Sequence, residues 1–346
     1  MINSKPADLL DHDHLEDIEG NIYVVVGNTH PPGEVIAYIK YVPTSTKTIW
    51  CRGFTCYERV VRRYGIRNVV NAVVKYQNYS LDPIFGAKIP KIPLSRVSTI
   101  YKPTTRLYEI LQSPRDQLEV QVANLAVTIE QYTGIPTSKL GINGSILVKI
   151  HNPKYSDIDM VVYGCKECID LINHLESIKG LSRPPEDILV KHLRSQSLIY
   201  SLPLDTVKAI YPPYKRLWFN GKEVNMTFVD ERTYRYGSKV FKPLGVIEAL
   251  VEVEGGSCES LFYPSKALIS SVKGILRYQG VRENLNYIKE NLTYLISYEG
   301  IFSYIMFKGG KLRVNGVLEL VKPEGHFVVL VGAYENPGYV VPSKSS

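Results

Sequence analysis

The feature that most restricts the fold of this chain is a pair of carboxylates, Asp157 and Asp159, at the start of an apolar, β-branched run. Such a run predicts a buried strand over residues 158–163. Because side chains alternate along a strand, both carboxylates point to the same side. Gly144 and Ser145 precede Asp157 by an interval of eleven residues, and a Gly-Ser turn offers backbone N–H groups and a hydroxyl to a phosphate. The pattern predicts a Mg²⁺ site beside a triphosphate site.

The residues around this motif predict a mixed α/β region. A helix is expected to begin at Ser113-Pro114, to carry apolar residues at helical spacing and to end at Gly134. The other elements predicted here are strands over residues 146–150 and 223–229, and helices over residues 165–178 and 186–202.

The two flanking regions are predicted to be rich in strands. Near the N-terminus, strands over residues 21–27 and 35–42 form a wide hairpin around the turn His30-Pro31-Pro32-Gly33. A short helix is expected over residues 58–63, followed by an extended, basic connector over residues 82–106. The C-terminal predictions are strands over residues 246–254, 311–321 and 327–331, and a helix over residues 265–276.

Three domains are therefore expected. They are a β-rich N-terminal domain with its connector, the central mixed domain and a small, barrel-like β-rich C-terminal domain. Their predicted bounds are residues 1–110, 111–238 and 239–346.

The central region resembles the DNA polymerase beta-like nucleotidyltransferase superfamily. The signature of that superfamily is Gly-Ser, about ten residues, and then Asp-x-Asp on a strand, here Gly144-Ser145 and Asp157-Ile158-Asp159. More narrowly, the chain is similar to archaeal predicted nucleotidyltransferases with a His-Pro-Pro turn and a β-rich tail. The resemblance implies an α+β fold: a polymerase-beta-like mixed sheet with helices, flanked by small β-rich domains.

The resemblance also implies roles for individual residues. Asp157 and Asp159 are expected to bind metal, in a site for two Mg²⁺ ions, while Gly144, Ser145 and Ser156 bind the phosphates of a nucleoside triphosphate. A nucleotidyl group then passes to a hydroxyl acceptor, and pyrophosphate leaves.

The third carboxylate of that superfamily lies on a neighbouring strand, which residues 223–229 match. The central position of this strand is Asn225, which can give a carbonyl oxygen to a metal ion but cannot act as a base. Glu223 lies two residues earlier on the same face and is the candidate catalytic substitute. Two interpretations stay open: a working transferase, and a degenerate nucleotide- or RNA-binding protein.

Charge and hydropathy restrict the partners. Lys and Arg number 41 against 34 Asp and Glu, so the net charge of +7 favours phosphates, either free or in RNA or DNA. A cluster of basic and aromatic residues is predicted to be either a nucleic-acid surface or a solvated helix face; its members are Tyr57, Arg59, Arg62, Arg63 and Tyr64. No run reaches the roughly 20 apolar residues that span a bilayer, so no membrane partner is expected. A cytoplasmic location is expected, and the oligomeric state is left open.

Weaker patterns favour ordinary structural roles. Cys165 and Cys168 are interpreted as buried or incidental thiols rather than a zinc or redox site, and five cysteines do not predict a complete disulfide framework. The run Asp11-His12-Asp13-His14 is interpreted as a solvated segment. Lys149 and His151 are interpreted as surface groups, with phosphate binding as the alternative.

Overall fold

The structure is a computed structural model, and residues 8–343 are described. Its α+β class is confirmed, since the described residues form three sheets with helices between the strands. The strands are β1 His14–Asp17, β2 Ile22–Val25, β3 Glu34–Thr44, β4 Cys51–Arg52, β5 Thr55–Arg59, β6 Tyr79–Asp82, β7 Ala87–Pro93, β8 Val97–Tyr101, β9 Leu140–Ile142, β10 Ile158–Tyr163, β11 Leu181–Ser182, β12 Leu217–Phe219, β13 Lys222–Val229, β14 Val240–Val253, β15 Ser265–Gln279, β16 Leu292–Ser297, β17 Gly310–Lys322, β18 Phe327–Val331 and β19 Tyr339–Pro342. The helices are α1 Ile66–Val73, α2 Pro103–Gln112, α3 Gln117–Thr133, α4 Gly144–Leu147, α5 Cys165–His174, α6 Glu186–Tyr200, α7 Leu204–Ile210, α8 Leu285–Asn291 and α9 Ser303–Lys308.

The chain divides into two compact units, each built from three separate segments. The first unit comprises Met1–Arg62, Lys91–Leu189 and Pro213–Thr233, and the second comprises Arg63–Pro90, Val190–Pro212 and Tyr234–Ser346. The division into residues 1–110, 111–238 and 239–346 stays a prediction. The first predicted boundary, at residue 110, falls inside α2. The second, at residue 238, falls four residues after Tyr234, where the last segment of the second unit begins.

The first unit contains a five-stranded sheet in the order β11-β12-β13-β10-β9. Its two central strands, β10 and β13, are parallel, and Asp159 is the register partner of Asn225. The strands predicted over residues 158–163 and 223–229 are confirmed, as are the helices α5 and α6. The helix that ends at Gly134 is confirmed as α3, but it begins at Gln117, after its cap Asp116, and not at Ser113-Pro114. The sequence motif therefore lies at the centre of the sheet.

The first unit also contains most of an N-terminal sheet, which packs against the residues that follow Gly144. In this sheet β2 and β3 form the predicted antiparallel hairpin. A buried apolar cluster joins it to the segment after the Gly-Ser turn; the members are Ile22, Tyr41, Tyr57, Leu147, Val148 and Ile150. The residues directly after the Gly-Ser turn are therefore packed into the apolar core of the unit.

Four local predictions are wrong. Residues 146–150 do not form a strand: α4 is a helical turn, and its apolar residues are buried in the cluster just described. Residues 58–63 do not form a helix: residues 58 and 59 are the end of β5, and the next helix, α1, begins at Ile66. The connector predicted over residues 82–106 instead contains β7, β8 and the start of α2. The helix predicted over residues 265–276 is the long strand β15, along which buried and half-buried side chains alternate at its start.

The second unit contains a closed barrel of five strands. β14 pairs with both β15 and β17. β16 pairs with β15 and, in parallel, with β18, and β18 pairs with β17 to close the ring. The helix α9 lies between β16 and β17 in the chain, and β19 adds to β17 outside the ring.

Within residues 8–343, no helix combines the length and the apolar character that crossing a membrane requires.

Candidate functional site

Gly144 and Asp159 approach each other closely at the edge of β10. The Asn143 N–H donates a hydrogen bond to the Asp159 carbonyl oxygen at 2.8 Å. Gly144 has a φ of +67°, and a Cβ at this position would lie 2.5 Å from Asp159 Oδ2. Only glycine adopts this backbone conformation freely and leaves that space. The glycine of the motif therefore lets the carboxylate lie against the backbone of the turn.

A hydrogen bond joins the two halves of the motif. The Ser145 hydroxyl donates to Ser156 Oγ at 3.2 Å, and Ser156 Oγ also accepts the Asn152 N–H at 3.0 Å. Both serines are buried. The structure therefore brings Gly144 and Ser145 together with the segment that carries Asp157 and Asp159, and it orients both hydroxyls through protein partners.

The two carboxylates of the motif repel each other. The negative charge of Asp159 is the first cause that raises the pKa of Asp157 to about 7, and loss of solvent is the second. Asp157 is exposed at the surface and Asp159 is half-buried. Because Asp157 remains exposed, we attribute the shift to repulsion by Asp159 rather than to desolvation. A cation between the carboxylates would remove this repulsion.

On β13, the two candidates for the third position are bound to Arg216. Arg216 Nη2 lies 2.8 Å from Glu223 Oε2, and the Arg216 N–H donates to Asn225 Oδ1 at 3.0 Å. The Asn225 amide also hydrogen-bonds Glu223 and opposes the rise in the Glu223 pKa that burial causes. Glu223 and Asn225 therefore lie on the predicted face of β13, next to Asp159, and Arg216 already binds an oxygen of each.

Lys215 is a site residue that the sequence analysis missed. Its Nζ donates to Thr227 Oγ1 at 3.1 Å, and Thr227 follows Asn225 by two residues on the same face of β13. Desolvation lowers the pKa of Lys215 to about 8, while the charges of Asp159 and Asp11 act in the opposite direction. Its only sequence signal was a pair of basic residues directly before a strand, which is a common pattern on solvated surfaces.

The interpretation of Asp11-His12-Asp13-His14 as a solvated segment is wrong. Asp11, Asp13 and His14 are buried, and the Lys102 ammonium binds Asp13 Oδ2 at 2.5 Å. His12 Nδ1 lies 2.9 Å from Asn143 Nδ2, beside the Gly-Ser turn. This segment therefore forms one wall of the site.

The pKa values in this wall are shifted because its groups are buried. Desolvation raises the pKa of Asp11 to about 7. Desolvation, together with the positive charges of Lys215 and Lys40, lowers the pKa of His12 to about 3. The His12 imidazole is therefore neutral at pH 7.

A second group with metal-ligand geometry lies at the start of α3. One ligand atom each of Asp116, Glu119 and His151 lies within 4.8 Å of the others. However, the Arg106 guanidinium binds Glu119 Oε1, and His151 Nε2 contacts Asp116 Oδ2 at 2.9 Å. Asp116 also caps α3 by accepting two backbone N–H groups. The negative charges of this group are compensated by the protein itself.

Other sequence candidates have structural partners. Lys149 Nζ lies 2.9 Å from Glu109, so both Lys149 and His151 are engaged within the fold. Cys168 is a free, buried thiol, whereas Cys165 is disulfide-bonded, so the interpretation as a thiol is confirmed for Cys168 and wrong for Cys165. Cys51 and Cys56 are disulfide-bonded across the β4–β5 hairpin, a pairing that the odd number of cysteines did not suggest.

The predicted basic and aromatic cluster is not a helix face. Tyr57 is buried on β5, and its hydroxyl accepts a hydrogen bond from Arg52 at 2.9 Å. Arg62 pairs with Glu58 at the surface at 3.1 Å. The positive charge of Arg59 opposes the rise in the pKa of Asp157, which places Arg59 near the acid pair. Arg59 is therefore a further positive group of the site.

Comparison with known proteins finds one relative of almost equal length. The chain is 25% identical over 332 residues to the uncharacterized protein MJ1086 of Methanocaldococcus jannaschii, and the match covers 89% of this chain and 90% of the relative. No family model matches the chain, and no solved structure matches it.

Proposed function

We propose that this protein is a Mg²⁺-dependent nucleotidyltransferase that moves a nucleotidyl group from a nucleoside triphosphate to a hydroxyl acceptor. The observation that carries the proposal is the junction of the two motif halves. Gly144 gives Asp159 room to approach its backbone, and Ser145 hydrogen-bonds Ser156, next to the exposed carboxylate of Asp157.

The residues present fit a divalent cation at the acid pair. Asp157 and Asp159 are two hard oxygen ligands on one strand, and the raised pKa of Asp157 reports a repulsion that a cation relieves. When bound, Mg²⁺ would supply charge stabilisation to the phosphates in transfer. Gly144, Ser145 and Ser156 are proposed to hold the phosphates. The role of Glu223 as a base or ligand stays a prediction, because Arg216 binds its carboxylate.

The test is transfer of label from α-labelled nucleoside triphosphates to RNA, DNA, protein and small-molecule hydroxyl acceptors. The Asp157→Ala, Asp159→Ala double variant is expected to lose at least about 10²-fold in pyrophosphate release, since it loses the metal ligands. Asp170→Ala is the matched control: this carboxylate pairs with Lys166 on the surface of α5 and is expected to leave turnover unchanged. Equal labelling by the double variant and the wild type would reject the proposal.

A second candidate function, binding of single-stranded RNA without turnover, has support from the barrel. The strands β14 to β18, taken as one to five, pair in the order one-two-three-five-four and close onto one, with three and five parallel. OB-fold barrels share this five-stranded Greek-key architecture and bind oligonucleotides on the face of strands two and three. On that face, Lys266 Nζ lies 4.0 Å from the Tyr294 ring centroid. An ammonium and an aromatic ring are the groups that bind phosphate and stack on bases.

This alternative is tested by the binding of a mixed-sequence single-stranded RNA at increasing salt. Affinity should fall steeply with salt, and Tyr294→Ala should weaken binding about tenfold, because stacking contributes roughly 1–3 kcal/mol per base. Tyr108→Ala, at an exposed tyrosine of α2, is the control. Unchanged affinity in Tyr294→Ala would remove this candidate.

A further inference from the structure

The number of cations in the site depends on the side chains that β13 presents to Asp159. Sites with two metal ions hold them about 3.5–4 Å apart and need enough carboxylate oxygens to bridge and anchor both. The resemblance to the polymerase beta-like superfamily implies two Mg²⁺ ions, with an acid at the position of Asn225. The charges near this position therefore show whether a second ion fits.

Arg216 neutralises the carboxylate that β13 offers. Its Nη2 lies 2.8 Å from Glu223 Oε2, and its Nε donates to Glu223 Oε1 at 3.3 Å. Its backbone N–H is bound to Asn225 Oδ1. A φ of +55° at Arg216 turns the chain so that both contacts are made from one residue. A second ion at this position would have to displace a guanidinium from a half-buried pair.

Among residues 8–343, no other acid joins Asp157 and Asp159 as a third metal ligand in place of Glu223. Over the described range 8–343, no His, Cys, Asp or Glu forms a three-ligand group with Asp157 and Asp159 in which all ligand atoms lie within 4.8 Å. The acid pair alone provides two ligands, and solvent and phosphate oxygens are what Mg²⁺ takes to complete its shell at such sites. This donor set fits one ion and does not fit two.

A positive charge of the protein already lies on the β13 side of the acid pair. Lys215 Nζ is held by Thr227 Oγ1 at 3.1 Å, on the face of β13 that carries Asn225, and Asn225 is the register partner of Asp159. Asp159 and Asp11 are the two carboxylates whose negative charges act on this ammonium. Lys215 is thus anchored on β13 and lies close enough to Asp159 and Asp11 for their charges to act on it.

We propose that the site binds a single divalent cation at Asp157 and Asp159, and that Lys215 provides the positive charge on the β13 side which a second ion would otherwise provide. Lys215 acts as a positioning residue through its charge on Asp159. This inference rests on the proposed function, because it assumes that the acid pair binds metal.

The test is electron paramagnetic resonance of Mn²⁺ bound to the full chain, alone and with a non-hydrolysable α,β-methylene nucleoside triphosphate. We expect one bound Mn²⁺ per chain and the spectrum of an isolated ion in both conditions. Two ions with an exchange-coupled spectrum would overturn the inference and leave the proposed function intact. No bound Mn²⁺ in the wild type would reject both.

Variants of Lys215 test its role separately. Lys215→Met is expected to tighten Mn²⁺ binding about tenfold, because a positive charge near the ligands is lost. Lys215→Arg keeps the charge and should bind Mn²⁺ like the wild type. Thr227→Val, which removes the anchor of Nζ and leaves the charge in place, should change the affinity by less than Lys215→Met does. Unchanged affinity in a folded Lys215→Met protein would overturn the role of Lys215, and the wild-type stoichiometry remains decisive if this variant does not fold.

Discussion

Two carboxyl groups, one in each unit, have raised pKa values for different reasons. Asp157 is an exposed residue beside Asp159, and repulsion by that second carboxylate raises its pKa to about 7. Glu319 lies on β17 of the barrel unit with 2% of its surface exposed, and desolvation raises its pKa to about 8. Charged side chains act on the first group, with Asp159 and Glu223 raising its pKa and Arg59 opposing the rise, whereas the shift of the second comes from burial.

The comparison shows that a raised pKa does not identify a functional site by itself. Repulsion between two carboxylates marks a place where a cation is favourable, because the cation removes the unfavourable interaction. Desolvation marks a carboxyl group that stays protonated and neutral near pH 7. The cause of the shift therefore carries the functional information, and its size does not.

The largest expected effect is on the pH dependence of stability in Glu319→Gln. The folded pKa of Glu319, about 8, lies above its value of 4.5 in an unfolded chain. The folded state therefore holds the proton more tightly, and stability falls as pH rises from about 4.5 to 8. The neutral variant lacks this loss, so at pH 9 it should be more stable than the wild type by roughly 3–5 kcal/mol as an upper limit. Chemical denaturation from pH 5 to 9 measures the difference.

Glu324→Gln is the matched control for that experiment. This exposed carboxylate pairs with Lys239 at 2.9 Å, and the pair lowers its pKa. Because an exposed ion pair contributes little to stability, the replacement of Glu324 should leave the pH dependence of stability like that of the wild type. Parallel pH curves for Glu319→Gln and the wild type would show that burial does not control the ionisation of Glu319.

The second largest effect is expected to be the loss of stability in Gly144→Ala. The substitution places Cβ 2.5 Å from Asp159 Oδ2 and also strains a backbone with a φ of +67°. Gly134→Ala separates the two costs, because Gly134 has a φ of +71° and, apart from its chain neighbours, no atom of residues 8–343 lies within 4 Å of the point that a Cβ would occupy. We expect about 1 kcal/mol of destabilisation in Gly134→Ala and about 2–3 kcal/mol in Gly144→Ala. Thermal unfolding measures both losses of stability. If Gly144→Ala and Gly134→Ala were destabilised equally, Asp159 would move away from the new Cβ at no cost in free energy.

Asp159→Asn should separate repulsion from desolvation at the acid pair. Removing the first cause of the shift should lower the pKa of Asp157 by at least about one unit from its value near 7. Carboxyl carbon chemical shifts followed by NMR measure this pKa. A pKa that stays near 7 would assign the shift to desolvation and make Asp157 similar to Glu319.

The smallest effect is expected for the hydrogen bond between the motif halves. Ser145→Ala and Ser156→Ala each remove one partner of the 3.2 Å contact. A double-mutant cycle on unfolding free energies should give a coupling of about 0.5–1 kcal/mol, typical of a neutral hydrogen bond. A coupling of zero would show that the two halves are held together by other contacts.

The elements at the centre of the first unit were predictable because local patterns and tertiary environment agree. Residues 158–163 follow Asp157, are apolar except for Asp159 and lie in the middle of a sheet, so their composition matches their burial. The same holds for residues 223–229, where alternation placed Glu223 and Asn225 on one face. These predictions needed no knowledge of distant residues.

Other parts depended on contacts between residues far apart in the chain. Asp13 is buried because Lys102, 89 residues later, binds it, and no local pattern reports such a partner. Lys215 belongs to the site only because Thr227 and Asp159 are brought beside it by β13 and β10. The start of β15, Ser265 to Ile269, suits both a helix and a strand by composition, and pairing with β14 and β16 decides between them.

The segmented construction of the first unit has a consequence for the order in which the protein is synthesised. The acid pair leaves the ribosome well before Pro213–Thr233, the last segment of its unit, which contains the partner strand β13 and both Lys215 and Arg216. Between these two events the chain makes Val190–Pro212, which belongs to the other unit. A nascent chain that stops at Leu189 has the motif but not β13, the strand that pairs with β10 at Asp159. We therefore expect that no fragment ending before β13 binds Mn²⁺, because β10 lacks the neighbour that holds the acid pair in place, so the proposed metal site is completed late in translation.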